Sequence, residues 1–344
     1  MPVSAEPPPD RERISAWLAR VTARPGPFPL TPIPGGASPR RFYRTEVDGV
    51  RAVVMLVPPD TGDVAFARER GRGWPFLEVR ELLARGGVRV PSLLAESVAE
   101  ELLLVEDLGE TLAAHLERYP DEREPLYRVA VRDLAQAQAA LAVLPEDSVV
   151  RLRAFDRALF GAELEHFWDW AIAARAVSAP HQPFQRARDY LLHALTALPL
   201  GFSHRDYQSR NLIVTAEGAL GWIDFQDALL GPRAYDLVAL LCDSYQPFDR
   251  AFVEARLDDY AAARSLADNE RRALGREFDL LTVQRKLKDA GRFVFIEKKR
   301  GDPSFLPFVR PTLDIVLDAL ARLRDVPELH ALEPVVLAAS NARQ

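Results

Sequence analysis

Two short motifs in the second half of the chain combine the side chains that phosphoryl transfer requires. The first runs from His204 to Asn211 and reads His-Arg-Asp-Tyr-Gln-Ser-Arg-Asn, and the second is Asp224-Phe225-Gln226. In the pattern H-R-D-x-x-x-x-N, the Asp accepts the proton of the attacking hydroxyl, and the Asn holds a magnesium ion. The Asp of a following D-F-G-like tripeptide also holds metal. The pattern predicts Asp206 as the general base and Asn211 and Asp224 as Mg²⁺ ligands.

The segment between the two motifs predicts a β-hairpin. Residues 212–214 and 220–223 are short apolar runs on either side of a glycine turn at 216–218. Such a hairpin would return Asp224 to the neighbourhood of Asn211, as two ligands of one metal require. The alternative is that these are ordinary loop carboxylates and a turn asparagine. Agreement of residue type, spacing and hairpin context favours the catalytic interpretation.

Bulk composition is typical of a globular enzyme that works inside the cell. The 344 residues are 48% hydrophobic, which is enough for two lobes with separate cores. No apolar run has the length of a membrane span, and the N-terminal residues lack an apolar signal core. A single cysteine, Cys242, cannot form an internal disulfide. The net charge of −6 gives no support to a nucleic-acid partner. We expect a cytoplasmic protein without a membrane, nucleic-acid or obligate protein partner.

The order of the predicted elements is a small sheet followed by helices. Residues 42–47 and 52–57 flank an Asp48-Gly49 turn and predict a hairpin, and 93–94 and 102–105 predict two more strands of a four- or five-stranded sheet. Apolar spacing predicts helices at 11–23, 74–86, 111–118, 123–143, 157–175, 182–196, 250–263, 269–291 and 308–324. Residues 25–34 are read as a proline-rich connector.

The two motifs, with several others, resemble a known family. The chain is similar to the aminoglycoside phosphotransferase and choline kinase group, and within it to the bacterial kinases that phosphorylate the anomeric hydroxyl of N-acetylmuramate and N-acetylglucosamine in peptidoglycan recycling. Besides the two motifs, the matching segments are Ser38–Arg44, Val105–Gly109, Ile223–Ala228, Gly231–Leu237 and Gln284–Lys288.

The resemblance implies an α+β, bilobal, protein-kinase-like fold. Residues 1–105 would form the N-terminal nucleotide-binding lobe with an antiparallel sheet, 106–109 the hinge, and 110–344 the helical lobe with the catalytic loop and acceptor site. It also implies ATP as co-substrate, Mg²⁺ as cofactor and a small sugar as acceptor.

The nucleotide site is expected in the N-terminal lobe, with one departure from the kinase pattern. The strand 53–55 carries Met55 where kinases carry a phosphate-pairing lysine. Positive charge would then come from arginines, which suit bidentate phosphate contacts, although a solvated surface role is the alternative. Glu78 is left without an obvious partner. The predicted nucleotide-binding residues are Ser38, Arg40, Arg41, Arg44, Glu106 and Leu108. The last two would act through the hinge backbone.

Charge provides a clue to the acceptor. Residues 282–300 carry seven Lys and Arg against one Asp and one Glu. This favours an anionic acceptor such as N-acetylmuramate over a polycationic aminoglycoside, although a solvated basic face is the alternative. The candidate substrate-binding residues are Asp206, Arg210, Asp227, Arg285 and Lys288, and His204 and Asp236 are expected to be structural.

The sequence therefore predicts an ATP-dependent kinase that makes an amino-sugar 1-phosphate. Two alternatives stay open. One is a phosphotransferase of the same fold that acts on an aminoglycoside, choline or another sugar. The other is a nucleotide-binding pseudokinase, which the methionine at position 55 suggests and the intact motifs oppose.

Overall fold

The chain divides into two compact units. A computed structural model describes residues 8–34, 39–216 and 218–342. The first unit comprises Met1–Glu110 and Ile213–Gln226, and the second comprises Thr111–Leu212 and Asp227–Gln344. The hairpin between the two motifs therefore belongs to the first unit, except for its first residue, Leu212.

Ten strands and thirteen α-helices lie within the described residues. The strands are β1 (Thr31–Ile33), β2 (Arg41–Val47), β3 (Val50–Leu56), β4 (Leu93–Ser97), β5 (Leu102–Glu106), β6 (Glu110–Thr111), β7 (Leu200–Ser203), β8 (Leu212–Val214), β9 (Leu220–Trp222) and β10 (Leu229–Pro232). The helices are α1 (Pro8–Thr22), α2 (Gly62–Glu69), α3 (Pro75–Arg85), α4 (Leu112–Arg118), α5 (Arg123–Ala140), α6 (Arg157–Phe167), α7 (His181–Thr196), α8 (Tyr235–Leu241), α9 (Arg250–Ala263), α10 (Asp268–Arg300), α11 (Val309–Arg322), α12 (Pro327–His330) and α13 (Glu333–Asn341).

The first unit is built on a five-stranded antiparallel sheet in the order β1-β2-β3-β5-β4. The β2–β3 turn places Asp48 and Gly49 in the left-handed region, as an Asp-Gly hairpin turn requires. Alternate residues of β3 and β5 are buried on one face, against which α1 packs. Ile14, Trp17 and Leu18 fall on one side of α1 because a helix repeats every 3.6 residues.

A second, short hairpin, made of β8 and β9, packs in the first unit. The backbone N–H of Trp222 donates to the carbonyl of Arg89 at 2.8 Å. A Cβ on Gly221 would lie 2.5 Å from the Leu108 side chain, so the strand approaches that residue closely. Phe225, at the end of the hairpin, stacks on Phe76 of α3 with ring centroids 5.0 Å apart.

The second unit is helical and is organised around the 33-residue α10. Helices α6 and α11 pack against it. The approach of α6 is close at Gly291, where a Cβ would lie 2.6 Å from the carbonyl oxygen of His166 and 2.8 Å from Cα of Phe167. One two-stranded antiparallel sheet, β7 with β10, also lies in this unit and pairs Ser203 with Leu229. Strand β7 ends directly before the first motif.

The α+β class with a small antiparallel sheet and a larger helical part is confirmed, while several element predictions are corrected. A strand, β1, lies inside the proline-rich connector, and α2 lies where no helix is predicted. The helix predicted at 157–175 is α6 to Phe167, followed by a π-turn at Trp168–Ile172 and a 3₁₀ turn. Helix α10 continues nine residues past the predicted end at 291. Residue Glu217 of the predicted hairpin turn lies outside the described residues.

Within the described residues, no helix combines the length and the low charge that crossing a bilayer requires.

Candidate active site

The first motif forms a loop in the second unit that its flanking residues hold from several sides. His204 is fully buried, and Tyr207 is buried with its hydroxyl donating to the carbonyl of Ala130 at 3.0 Å. Arg205 adopts φ of 78°, a left-handed conformation that costs free energy for a residue with a side chain. The loop must therefore be stabilised by its surroundings.

Asp236, at the start of α8, supplies part of that stabilisation. Its Oδ2 accepts from the backbone N–H of His204 at 2.8 Å, and its Oδ1 accepts from the backbone N–H of Arg205 at 2.9 Å and the Ser203 hydroxyl at 3.1 Å. Burial raises the pKa of Asp236, and the charge of His204 and the two backbone donors act against that rise. The carboxylate fixes the backbone directly before the candidate base.

A second carboxylate, Asp243, holds the far side of the loop and was missed by the sequence reasoning. It is buried, and its Oδ2 accepts from the Ser209 hydroxyl at 2.6 Å while its Oδ1 accepts from the backbone N–H of Tyr245 at 3.0 Å. The sequence signal that could have indicated it is an Asp two residues after the end of the apolar helix α8 and seven residues after Asp236. The loop is anchored by side chains at both of its ends.

The candidate base, Asp206, contacts a guanidinium. Arg285 of α10 is 1% exposed, and it donates from Nη1 to the carbonyl of Arg205 at 2.8 Å and from Nη2 to Asp206 Oδ1 at 3.3 Å. Its guanidinium carbon lies 4.8 Å from the ring centroid of Tyr235. Arg285 therefore connects the long helix to the base and to the backbone that carries it.

Electrostatics at Asp206 favour the carboxylate form. Burial alone would raise the pKa of Asp206, but the charges of Arg285, Lys288 and Arg205 outweigh it and lower the pKa. For Arg285, burial would lower the pKa, and Tyr235, Asp289 and Asp206 more than compensate, so its pKa is raised. At neutral pH the pair is an ion pair with Asp206 ready to accept a hydrogen bond from a hydroxyl.

The position of Arg285 differs from the expectation that it contacts the acceptor sugar. Two of its guanidinium nitrogens already donate within the second unit, and the side chain is almost completely buried. The physical reason is the direction of its face of α10, which points at the loop. This geometry indicates a positioning role.

The other candidate acceptor residues lie on separate parts of the second unit. Lys288 is partly buried and pairs with Asp289 at 3.1 Å. Burial would lower the pKa of Lys288, but Asp289, Tyr235 and Glu163 together outweigh that effect and raise it. Asp227 pairs with Arg153 at 3.6 Å. Arg210 stacks over Tyr245, with its guanidinium carbon 3.5 Å from the ring centroid. Of these, Lys288 is the one whose charge acts on Asp206.

The candidate metal ligands have the chemistry that Mg²⁺ prefers. The Asn211 amide nitrogen donates to the carbonyl of Asp206 at 2.8 Å, which fixes the orientation of the amide, and an amide oxygen is a ligand type that Mg²⁺ accepts. Asp224, in the first unit, adopts φ of 62°, and its Oδ1 accepts from the Gln226 amide at 2.9 Å. A hard cation is held by such oxygen atoms, so the side chains fit the ion.

The arginines predicted to bind nucleotide phosphates have protein partners in the first unit. Arg41 pairs with Asp10 of α1, and Arg44 donates from Nε to Asp107 at 3.1 Å and from Nη2 to the carbonyl of Gly109 at 3.3 Å. Arg40 is buried. Ser38 lies outside the described residues. Arg44 therefore lies beside the predicted hinge, because Asp107 and Gly109 both belong to it.

At the predicted hinge, Leu108 differs from its neighbours in the hydrogen bonding of its backbone. Arg89 donates to the Glu106 carboxylate, from Nη1 at 2.9 Å, and lowers the pKa of Glu106 to about 2 against the effect of burial. Leu108 is buried by its side chain, but its backbone makes no hydrogen bond to any other residue within the described ranges. A backbone N–H and C=O without partners are what an adenine edge requires.

Met55 and Glu78, where the sequence departs from the kinase pattern, both have defined surroundings in the first unit. Met55 is 3% exposed within β3, which places it in the core of the sheet. Glu78 of α3, for which the sequence offers no partner, forms an ion pair with Arg72 at 2.8 Å. Helix α3 is therefore joined to the segment before it by this pair.

Comparisons with known proteins identify the family. A model of the phosphotransferase enzyme family matches residues 29–275. An N-acetylmuramate/N-acetylglucosamine kinase of Pseudomonas aeruginosa is 32% identical over 314 residues, covering 89% of this chain and 88% of the relative. The enzyme of that name from Neisseria meningitidis serogroup B is 32% identical over 334 residues, covering 93% and 94%.

The fold is also shared with a solved structure. The ADP-bound aminoglycoside phosphotransferase APH(2'')-Ib superposes with a TM-score of 0.60 at 16% identity, covering 90% of this chain and 99% of that one. With a family model over most of its length and two relatives above 30% identity, this chain belongs to the phosphotransferase enzyme family.

Proposed function

We propose that this protein transfers the γ-phosphate of ATP to the anomeric hydroxyl of N-acetylmuramate, N-acetylglucosamine or both. One observation carries the choice of acceptor. The chain aligns over nine-tenths of its length with relatives that bear the name N-acetylmuramate/N-acetylglucosamine kinase. The braced Asp206 loop supports the chemistry, and the ADP-bound structural neighbour supports a nucleotide co-substrate.

In this reaction Asp206 acts as general base. Its carboxylate accepts the proton of the anomeric hydroxyl, the hydroxyl oxygen forms the new bond to phosphorus, and the bond from the γ-phosphorus to the bridging oxygen of ATP breaks to release ADP. Arg285 holds the carboxylate in place and keeps it ionised. Asp236 fixes the loop backbone directly before the base, and Asp243 holds the Ser209 side chain after it.

Asn211 and Asp224 are the proposed ligands of the magnesium ion. When bound, Mg²⁺ neutralises phosphate charge during transfer. Within the described ranges, no three His, Cys, Asp or Glu side chains group together, so the ion would draw its remaining ligands from phosphate oxygens and water. The backbone of Leu108 is the proposed contact of the adenine ring.

A turnover assay tests the proposal. The purified protein with ATP and Mg²⁺ is offered N-acetylmuramate, N-acetylglucosamine, choline and an aminoglycoside, and ADP release is measured for each. We expect turnover with one or both amino sugars. Phosphorus NMR should then show a signal coupled to the anomeric proton, as in a sugar 1-phosphate.

Two other outcomes would reject the assignment. Turnover only with choline or the aminoglycoside would keep the family and replace the acceptor. Nucleotide binding without phosphorylation of any acceptor would favour a pseudokinase.

A further inference from the structure

We propose that Arg292, assisted by Lys288, forms the subsite that binds an anionic substituent of the acceptor, such as the lactyl carboxylate of N-acetylmuramate. This inference rests on the proposed function and specifies which residues of the second unit would distinguish a charged amino sugar from a neutral one.

Arg292 is a partly buried cation without a protein counter-ion. Its guanidinium carbon lies 4.9 Å from the ring centroid of Phe295, and within the described ranges it forms neither an ion pair nor a hydrogen bond. Burial lowers the pKa of Arg292, Arg300 lowers it further, and Asp206 opposes them. Desolvating a charge without a partner is unfavourable, so the position is suited to an anion brought by a ligand.

The neighbouring cations of α10 each have a carboxylate partner within the protein, although Lys286 and Lys288 share one. Arg285 pairs with Asp206 at 3.3 Å, and Lys286 and Lys288 pair with Asp289 at 2.7 and 3.1 Å. Arg292 has no such partner within the described residues. This difference argues against the alternative that α10 simply presents a solvated basic face. An anionic group of a ligand would supply the carboxylate partner that Arg292 lacks within the described residues.

Spacing along α10 places Arg292 on the side of the helix that carries the contact to the base. Residues 285, 288 and 292 differ by three and four, so they share one face. With a rise of about 1.5 Å per residue, Lys288 lies about 4.5 Å and Arg292 about 10.5 Å along the axis from Arg285. A hydroxyl at Asp206 and a carboxylate elsewhere on the same sugar would lie along this face.

Aromatic rings adjoin the proposed subsite and suit the apolar face of a pyranose. Phe295 contacts Trp170 edge-to-face at 4.9 Å and His166 at 5.4 Å between ring centroids. His166 Nε2 is buried and has no hydrogen-bond partner within the described ranges. Burial lowers the pKa of His166, and Arg292 and Lys288 add to that effect, so the ring is neutral and competes with neither cation. Few polar groups among aromatic walls are typical of small-molecule sites.

A nucleotide phosphate is the competing anion for Arg292. Comparing N-acetylmuramate with the neutral N-acetylglucosamine distinguishes an acceptor carboxylate from a phosphate. In steady-state assays, Arg292→Met keeps packing on Phe295 and removes the charge. We expect it to raise KM for N-acetylmuramate about ten- to a hundredfold, which is the usual value of a charge-assisted hydrogen bond, and to leave KM for N-acetylglucosamine and ATP unchanged. Titration calorimetry with N-acetylmuramate and no nucleotide should show the same loss of affinity. The matched control is Lys298→Ala, an exposed position of the same helix that pairs with Glu297, with no effect on either sugar.

Arg292→Lys keeps a positive charge and provides a second reading if the Met variant does not fold. It should raise KM for N-acetylmuramate less than Met does, again without effect on N-acetylglucosamine. Equal increases with both sugars, or an increase for ATP, would overturn the assignment while the proposed function stands. Wild-type turnover with N-acetylglucosamine alone would also overturn it. Turnover with neither sugar would reject the proposed function and this inference together.

Discussion

At the scale of single residues, Asp206 depends on neighbours that fix its position and its charge. The backbone N–H of Arg205, directly before Asp206, donates to Asp236, and the Asp206 carboxylate accepts from Arg285. Asp206→Asn preserves the shape of the side chain and removes its basicity. We expect turnover to fall about 10²–10⁴-fold, since general-base catalysis is worth that much, while ATP binding measured by calorimetry is retained.

One outcome would remove Asp206 from this role. If chemistry is rate-limiting and the Asn variant keeps a turnover number close to that of the wild type, another group accepts the proton. A variant that binds ATP poorly would instead indicate a general disturbance of the site.

Arg285 provides a second prediction at this scale, and it differs from that for Arg292. Because Arg285 contacts the base and the Arg205 carbonyl, Arg285→Met should lower kcat by a similar factor with both amino sugars and change KM for neither. Arg285→Lys should recover part of kcat, since an ammonium replaces the charge without the two-nitrogen geometry. A selective rise of KM for N-acetylmuramate would return Arg285 to the acceptor site.

The motif residues could be predicted from sequence because their types and spacing follow the chemistry directly. The role of Arg285 could not, since a basic residue on a helix has the same sequence signal whether it faces a substrate or a buried loop. Asp243 was missed for a related reason: its partner, Ser209, is 34 residues away in the chain, and only folding brings them together.

At the scale of elements, the contact between α6 and α10 depends on a glycine. A Cβ at Gly291 would meet backbone atoms of His166 and Phe167, which cannot move as a side chain can. Gly291→Ala should therefore lower the free energy of unfolding by about 1–3 kcal/mol, the usual cost of overpacking, despite the higher helix propensity of alanine. Urea denaturation monitored by circular dichroism measures the change.

Gly275 in the same helix is the matched control. The nearest atom to a Cβ there is Nη1 of Arg271 at 3.3 Å, the end of a flexible side chain. We expect Gly275→Ala to be neutral or stabilising, by up to about 1 kcal/mol. Equal destabilisation by both substitutions would mean that the helix, and not its packing, is affected.

Elements with strong local patterns were predicted well, and those set by distant contacts were not. Helix α9 has the predicted bounds, and the β2–β3 hairpin has the predicted turn. The β7–β10 pair was missed because its strands are four residues each and lie on either side of both motifs in the chain. The end of α10 was placed too early, at 291, although Phe293, Val294 and Ile296 are buried beyond it, and only the last turn of the helix is polar.

At the scale of the whole molecule, the two proposed Mg²⁺ ligands, Asn211 and Asp224, are tested by separate substitutions. Asp224→Ala should abolish turnover and the Mg²⁺-dependent part of ATP affinity, because it removes a carboxylate ligand. Asn211→Ala should raise the Mg²⁺ concentration needed for half-maximal activity and leave the melting temperature nearly unchanged. Calorimetric titrations of ATP at several Mg²⁺ concentrations check both. A Mg²⁺ dependence like that of the wild type in both variants would reject the two ligands.

The short hairpin that packs beside Leu108 and Arg89 also affects how the protein is made. Residues 1–110 leave the ribosome about a hundred residues before the hairpin does, so during synthesis the first unit lacks two strands and the Phe225 ring that covers Phe76. A fragment that ends at residue 110 would present this apolar surface to water and is expected to aggregate. To be produced alone, the first unit would therefore have to be a fusion of residues 1–110 with residues 213–226.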